Sequence, residues 1–245
     1  MNVAVVTCWT GVGAAKFKNS LSRELLCVDR ATGRVKWSRA VAGENNIDRF
    51  DGYLPEHGYA SHTPVCDGEK IFAYFGRGGA AAFDLDGKVL WQTRLGDASN
   101  QKNWGSAASP VVHGDYVIIT ASEEANAVIA LHKATGKEAW RFWTIPAPGE
   151  PGAETWPPAV LERGGSPTWV TGTYDAELNT VYWGTGNPNP DWDGDSRPGD
   201  NLYAASVVAL DADTGKLKWH YQFSPHDEFD WDATQIPVLG DIEFQ

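Results

Sequence analysis

Hydrophobic and polar positions alternate along this chain in short runs bounded by turn residues, and one arrangement recurs four times. The copies are LLCVDRATGRVKW ending at Trp37, AAFDLDGKVLW ending at Trp91, VIALHKATGKEAW ending at Trp140 and VVALDADTGKLKW ending at Trp219. Each is an apolar run, a polar turn holding Gly33, Gly87, Gly136 or Gly215, and a short run closed by tryptophan. Such runs predict strands, and the glycine supplies the positive φ that a tight hairpin needs. A further strand pair is predicted upstream of three copies, in TPVCDGEKIFAYF, SPVVHGDYVIITA and GTYDAELNTVYWGTG.

The closing tryptophans stand 54, 49 and 79 residues apart. A period near 50 residues with about four strands per unit predicts an all-β propeller of four-stranded antiparallel blades. The chain holds about four blades entering a fifth, with Trp37, Trp91, Trp140 and Trp219 expected between consecutive sheets and helix scarce. An unclosed set of blades exposes edges and apolar faces, so a partial ring is expected, completed by a further segment or by an oligomer. One propeller segment spans 1–245, with repeat blades over 1–149 and a blade carrying long loops over 150–245. The longest interval holds two added stretches, 146–165 and 187–201, both rich in Pro and Gly. Long loops on a rigid scaffold tend to carry function.

Composition narrows the partners. A net charge of -12 argues against nucleic acid or an anionic membrane surface. Cys8, Cys27 and Cys66 are odd in number and widely spaced, which is neither a disulfide framework nor a zinc pattern. The opening MNVAVVTCWTGVGAA lacks a basic leader region and reads as a strand, so neither a signal peptide nor a membrane span is predicted in this chain.

The densest chemistry lies in SPHDEFDWDATQIPV, from Ser224 to Val238. Asp230 and Asp232 stand two apart around Trp231. In an extended segment both carboxylates would face one way and the indole the other. Two like charges side by side repel, and a multivalent cation with several oxygen ligands removes the conflict. The plainer reading is a solvated acidic loop. Asp191, Asp193 and Asp195 invite an EF-hand reading, which Ser196 at the sixth position and Leu202 at the twelfth exclude. Arg197 and Asp200 are expected to pin the second added loop, and His226 to orient the acidic segment.

The fullest phrase, at 209–219, resembles the tryptophan-docking repeat of quinoprotein alcohol dehydrogenases and their non-catalytic relatives. Over about 164–239 the resemblance is specific: GGSPTWVTGTYDAELNTVYWGTGNPNPDW, RPGDN and PHDEFDWDATQIPVL look like the active-site half of the dehydrogenases that use pyrroloquinoline quinone (PQQ). It implies oxidation of a small alcohol by PQQ beside a Ca²⁺ or lanthanide ion, with an electron acceptor such as a cytochrome c and a periplasmic location. It also implies residue roles: Trp169 as the platform under the quinone, Asn187 as a metal ligand through its side-chain oxygen, Asp230 as catalytic base and ligand, and Asp232 as the further carboxylate of lanthanide-dependent members. Residues 1–140 look more like non-catalytic PQQ-like repeat proteins, including outer-membrane assembly propellers. There is no vicinal Cys pair, Ala107 stands where a cofactor-contacting threonine is usual, and TASEEANAV replaces a glycine-rich loop with a metal-binding glutamate. Whether Glu123 or Glu124 serves as that ligand stays open, as do the rival readings of a binding or assembly scaffold and of an inactive fragment.

Overall fold

The computed structural model describes residues 2–11, 20–41, 49–98, 102–161, 165–241 and 243. Residues 162–164, at the end of the first added stretch, lie outside the described residues. The fold is all-β. Strands β1 (Val3–Thr10), β2 (Ser22–Asp29) and β3 (Val35–Val41) form a sheet in the order β1-β2-β3. Strands β4 (Val65–Cys66), β5 (Lys70–Tyr74), β6 (Ala80–Asp84) and β7 (Val89–Thr93) form the second, in the order β4-β5-β6-β7. The third, β11-β10-β9-β8, comprises β8 (Val111–His113), β9 (Tyr116–Ala121), β10 (Ala127–His132) and β11 (Glu138–Trp143). The fourth, β12-β13-β14-β15, comprises β12 (Thr173–Asp175), β13 (Thr180–Gly184), β14 (Ser206–Asp211) and β15 (Leu217–Gln222). The α-helix among the described residues is one turn, α1 (Ser122–Ala125).

Three sheets thus have the four strands that the repeats predict, and the first has three among the described residues. By packing the chain divides into two compact units: unit 1 is 1–125 with 129–139, and unit 2 is 126–128 with 140–245. The core of unit 1 gathers Leu25, Val41, Ile71, Phe75 and Phe83, with Trp37 packed against it. In unit 2, Ile145, Trp156, Val160 and Ala204 cluster where the first added stretch meets the blade.

The repeated phrase has a physical explanation in its turn. The Asp29 carboxylate accepts from the backbone of Ala31 and Thr32 and from the Thr32 hydroxyl, and Asp211 accepts from the Thr214 backbone and hydroxyl. The threonine hydroxyl bonds are the leading cause that lowers the pKa of both aspartates. Gly33 and Gly215 then close each turn by donating to Asp29 O at 2.9 Å and Asp211 O at 2.8 Å, with φ of +71° and +67°.

The turn glycine also receives a tryptophan from the sheet before it. A Cβ on Gly87 would lie 2.8 Å from the Trp37 ring, one on Gly136 would lie 2.5 Å from Trp91, and one on Gly215 would collide with Trp140. The Trp91 indole N–H donates to Lys133 O at 2.9 Å, and that of Trp140 to Ala212 O at 3.1 Å. Trp140 is buried, Trp37 and Trp91 half-buried, but Trp219 is 47% exposed. The expectation of a buried fourth tryptophan therefore fails, because among the described residues no turn glycine lies against Trp219. Conversely, a Cβ on Gly33 would meet nothing within 4 Å.

These two kinds of turn should respond differently to a methyl group. Gly33→Ala should cost about 1 kcal/mol, the strain of a positive φ alone. Gly136→Ala must also displace Trp91 and should cost about 3 kcal/mol. Urea unfolding of the two variants compares them directly, and equal losses would show that the indole contact contributes nothing.

Candidate active site

The site is built on the end of β13, whose five residues are all buried. Beyond it the chain reads GTGNP, and the alternate glycines leave room on one side. The backbone of Ala233 and Thr234 lies against Gly184, so closely that a Cβ there would collide with Ala233 O. A Cβ on Gly186 would lie 2.6 Å from the Trp169 ring and 2.7 Å from Asp232 Oδ1. Two further bonds hold this layer: Ala233 N–H donates to Thr185 O at 3.2 Å, and Asn187 N–H donates to Asp232 Oδ1 at 2.8 Å. Trp169, Asp232 and Asn187 thus meet around one glycine.

Trp169 reaches that place because its segment pairs with the same strand extension. Ser166 N–H donates to Asn187 O at 2.8 Å and Gly186 N–H to Pro167 O at 2.9 Å. On the other side of Trp169, the Trp183 indole donates to Val170 O at 2.9 Å. The Trp169 ring itself stays 37% exposed, a flat apolar surface held at both ends of its segment.

Asn187 is buried, and its amide nitrogen donates to Asp191 Oδ1 at 2.9 Å and to Pro188 O at 3.3 Å. Neither bond uses its Oδ1, which is left to accept. Asp191 is a positioning residue that the sequence did not reveal. Its spacing of four residues from Asn187 was the only signal, and it was hidden among the aspartates of a rejected calcium loop. Asp193 instead accepts from Ser196 N–H at 3.3 Å.

The acidic segment is not extended, which corrects the simple alternation expected of it. The buried Asp227 carboxylate accepts from Phe229 N–H at 3.0 Å and Trp231 N–H at 2.8 Å, folding the chain into a turn. Within that turn Asp230 adopts a left-handed conformation, φ +63°, and Phe229 stacks on Trp231 at 4.8 Å. An aspartate that caps successive N–H groups competes with extended backbone. His226 orients the segment as expected, through its N–H to Asp200 O at 3.2 Å and its Nδ1 to Gly199 O at 2.9 Å.

Arg197 joins the two loops that carry these groups. Its side chain has no accessible surface. Nε donates to Pro190 O at 2.9 Å, Nη1 to Asn201 Oδ1 at 2.9 Å, and Nη2 to Asp191 O at 2.8 Å and also to Asp227 O. The two added stretches are locked to each other as well: Asn201 N–H donates to Thr155 O at 3.1 Å, and just beyond, Leu202 N–H donates to Thr155 Oγ1 at 2.8 Å and the buried Trp156 indole donates to Leu202 O.

The electrostatics are those of carboxylates crowded together. The Asp232 carboxyl is raised to about 6, first because protein packs around it and then because Asp230, Asp227 and Asp191 repel its charge; the Asn187 N–H works the other way. Asp232 is exposed as a whole residue, and Oδ1 is the atom set against Gly186 and Asn187. Asn187 Oδ1, Asp230 and Asp232 are hard oxygen donors of the kind that suits Ca²⁺ or a lanthanide. Among the described residues no three His, Cys, Asp or Glu side chains form a ready ligand cluster, and Asp227 and Asp191 are committed to backbone and to Asn187. In unit 1, Glu124 is buried and spends both carboxylate oxygens within that unit, accepting from Tyr74 OH and Ser106 Oγ at 2.8 Å each. Glu123 is half-buried beside it.

The described "Glucose/ethanol/alcohol dehydrogenase, beta-propeller domain" family matches residues 70–245. The chain is 34% identical over 235 residues to a quinohemoprotein alcohol dehydrogenase of Comamonas testosteroni, covering 88% of this chain and 32% of that protein. It is 32% identical over 178 residues to a lanthanide-dependent methanol dehydrogenase of Methylorubrum extorquens, covering 64% of this chain and 30% of that protein. The crystal structure of the Comamonas testosteroni quinohemoprotein alcohol dehydrogenase superposes with a TM-score of 0.74 at 29% identity, over 99% of this chain and 40% of that one. A β-propeller with this site and these relatives defines the class: the chain belongs to the PQQ alcohol dehydrogenase β-propeller family. It spans about a third of the length of these two curated relatives.

The Arg197 junction sets the geometry of the site, and lysine cannot reproduce its fork of donors. Arg197→Lys should lower stability by about 3 kcal/mol through unpaired buried acceptors. It should also speed hydrogen exchange at the Phe229 and Trp231 amides. Unchanged exchange there would mean that the acidic turn holds itself.

Proposed function

We propose that this chain carries the active-site portion of a PQQ-dependent alcohol oxidoreductase. The observation that supports it is the meeting of Trp169, Asp232 and Asn187 around Gly186, with Asp230 on the adjoining turn. Trp169 offers a flat apolar face for a planar quinone. Asn187 Oδ1, Asp230 and Asp232 would hold the ion, with Asp191 keeping the Asn187 amide nitrogen turned away. When bound, PQQ with its Ca²⁺ or lanthanide ion supplies the hydride acceptor and a Lewis acid.

Asp230 is the residue assigned to the substrate. Its carboxylate takes the hydroxyl proton of a small alcohol as the carbon–hydrogen bond is broken. A second carboxylate, Asp232, adds negative charge to the donor set and favours a trivalent ion over Ca²⁺. In this reading electrons leave through an acceptor such as a cytochrome c, in the periplasm. One observation favours the rival, a non-catalytic scaffold: Glu124 is tied into the interior of unit 1.

Calorimetry of the chain with PQQ and either La³⁺ or Ca²⁺ decides between them. Binding of both cofactor and ion is expected, and Asp232→Ala should weaken La³⁺ at least about tenfold, the loss of one charged ligand. Asp230→Asn should retain PQQ and abolish alcohol turnover, since an amide does not take up the proton. Binding of neither PQQ nor ion would overturn the oxidoreductase reading in favour of the scaffold.

A further inference from the structure

The packing step that joins neighbouring sheets has two halves, and the described residues hold an unused copy of each. In the first half a tryptophan stands opposite the residue just before a bulge. Trp37 is opposite Cys27, Trp91 opposite Ala82 and Trp219 opposite Ala209, and the register shifts at the next residue each time. In the second half a turn glycine leaves room for the ring, and the residues one and three before the turn aspartate form the floor. In the second sheet these are Phe83 and Ala81, ahead of Asp84, and they share a core with Trp37.

The fourth sheet offers the first half. Trp219, Tyr221 and Phe223 follow at every second position and all three are exposed. Tyr182 lies 5.6 Å from the Trp219 ring and Phe223 lies 5.1 Å from Tyr221, so the rings make one aromatic surface. The first sheet offers the second half. Gly33 is left-handed and open, since a Cβ there would meet nothing within 4 Å. Val28 and Leu26 stand one and three before Asp29, as Phe83 and Ala81 do before Asp84. Alternation puts them on the side opposite the buried Leu25 and Cys27. Their strand partners Val35 and Val6 are exposed.

The match extends to a hydrogen bond. The Trp91 and Trp140 indoles donate to Lys133 O and Ala212 O, each three residues before the receiving glycine. Arg30 holds the corresponding place ahead of Gly33. Each chain thus presents both sides of a contact that it already makes within itself.

We propose that these two faces join copies of this chain head to tail, Trp219 of one copy resting on Gly33 of the next and its indole N–H donating to Arg30 O. A second copy is the occupant because it supplies the receiving face in the register used inside the chain. The contact buries unlike faces, so it repeats from copy to copy until the assembly closes on itself. The proposal does not rest on the PQQ reading, and its test adds neither PQQ nor metal.

Sedimentation velocity of the full chain over a range of concentrations is the test. The chain should assemble into dimers or larger species that dissociate on dilution. Trp219→Ser, a change at an exposed residue, should raise the dissociation constant at least about thirtyfold. Gly33→Ala should do the same, because its methyl meets nothing in a separated copy but meets the indole in the contact. Val6→Glu, on the same face and outside the turn, should match Gly33→Ala and separates loss of contact from backbone strain. It also replaces Gly33→Ala if circular dichroism shows that variant unfolded. An equimolar mixture of Trp219→Ser and Gly33→Ala should form dimers that neither forms alone, since one keeps the glycine face and the other the tryptophan. Three results would each overturn the proposal: a parent chain monomeric at every concentration, variants that assemble as the parent does, or a mixture that stays monomeric.

Discussion

The interaction on which the structure depends is an indole ring set against the turn glycine of the following sheet. Among the described residues it occurs at Trp37 on Gly87, Trp91 on Gly136 and Trp140 on Gly215. Two requirements fall on each glycine together: a left-handed backbone and the absence of a Cβ where the ring must lie. The indole N–H of Trp91 and Trp140 adds a directional bond to a carbonyl of the same turn. Apolar contact and hydrogen bond thus fix the approach of one hairpin to the next, and a short phrase repeated in sequence becomes a repeated packing step.

That regularity gives the irregular part its support. The fourth sheet keeps the repeat at Gly215 and Trp219 but carries long loops between β11 and β12 and between β13 and β14. These loops are not loose: Thr155, Trp156, Asn201 and Leu202 lock them together, and the enclosed Arg197 ties Pro190, Asp191 and Asp227. Glycines at 184 and 186 let the acidic segment lie directly on the end of β13. Burial first, and then the neighbouring carboxylates, raise the Asp232 carboxyl there.

How much of this was legible in the sequence depended on whether the determinant was local. The hairpins were, because a local set of turn residues, such as aspartate, threonine and glycine at 29–33 and 211–215, settles the geometry without help from elsewhere. The fate of each tryptophan was not: Trp140 and Trp219 end similar phrases, yet one is buried and the other 47% exposed, because burial belongs to the neighbour. Trp169, Asn187 and Asp232 were legible as a group through motif resemblance, and the structure supplies the reason for their company, the shared approach to Gly186. The left-handed Asp230 was hidden because Asp227, three residues earlier, decides it by capturing two amides. The hydrogen-bonded chain of His62, Ser106 and Glu124 in unit 1 joins residues 44 and 18 positions apart, with no motif to announce it.

The central claim is that Trp169 and Asp232 belong to one cation site, and sensitised terbium luminescence tests it most directly. A Tb³⁺ ion emits under tryptophan excitation only when an indole stands close to it. Adding Tb³⁺ to the full chain should give emission that saturates. Most of it should be lost in Asp232→Ala, which removes the ligand, and part of it in Trp169→Phe, which leaves Trp231 of the acidic turn as the other indole nearby. Emission that never saturates, or that survives both substitutions, would contradict the account.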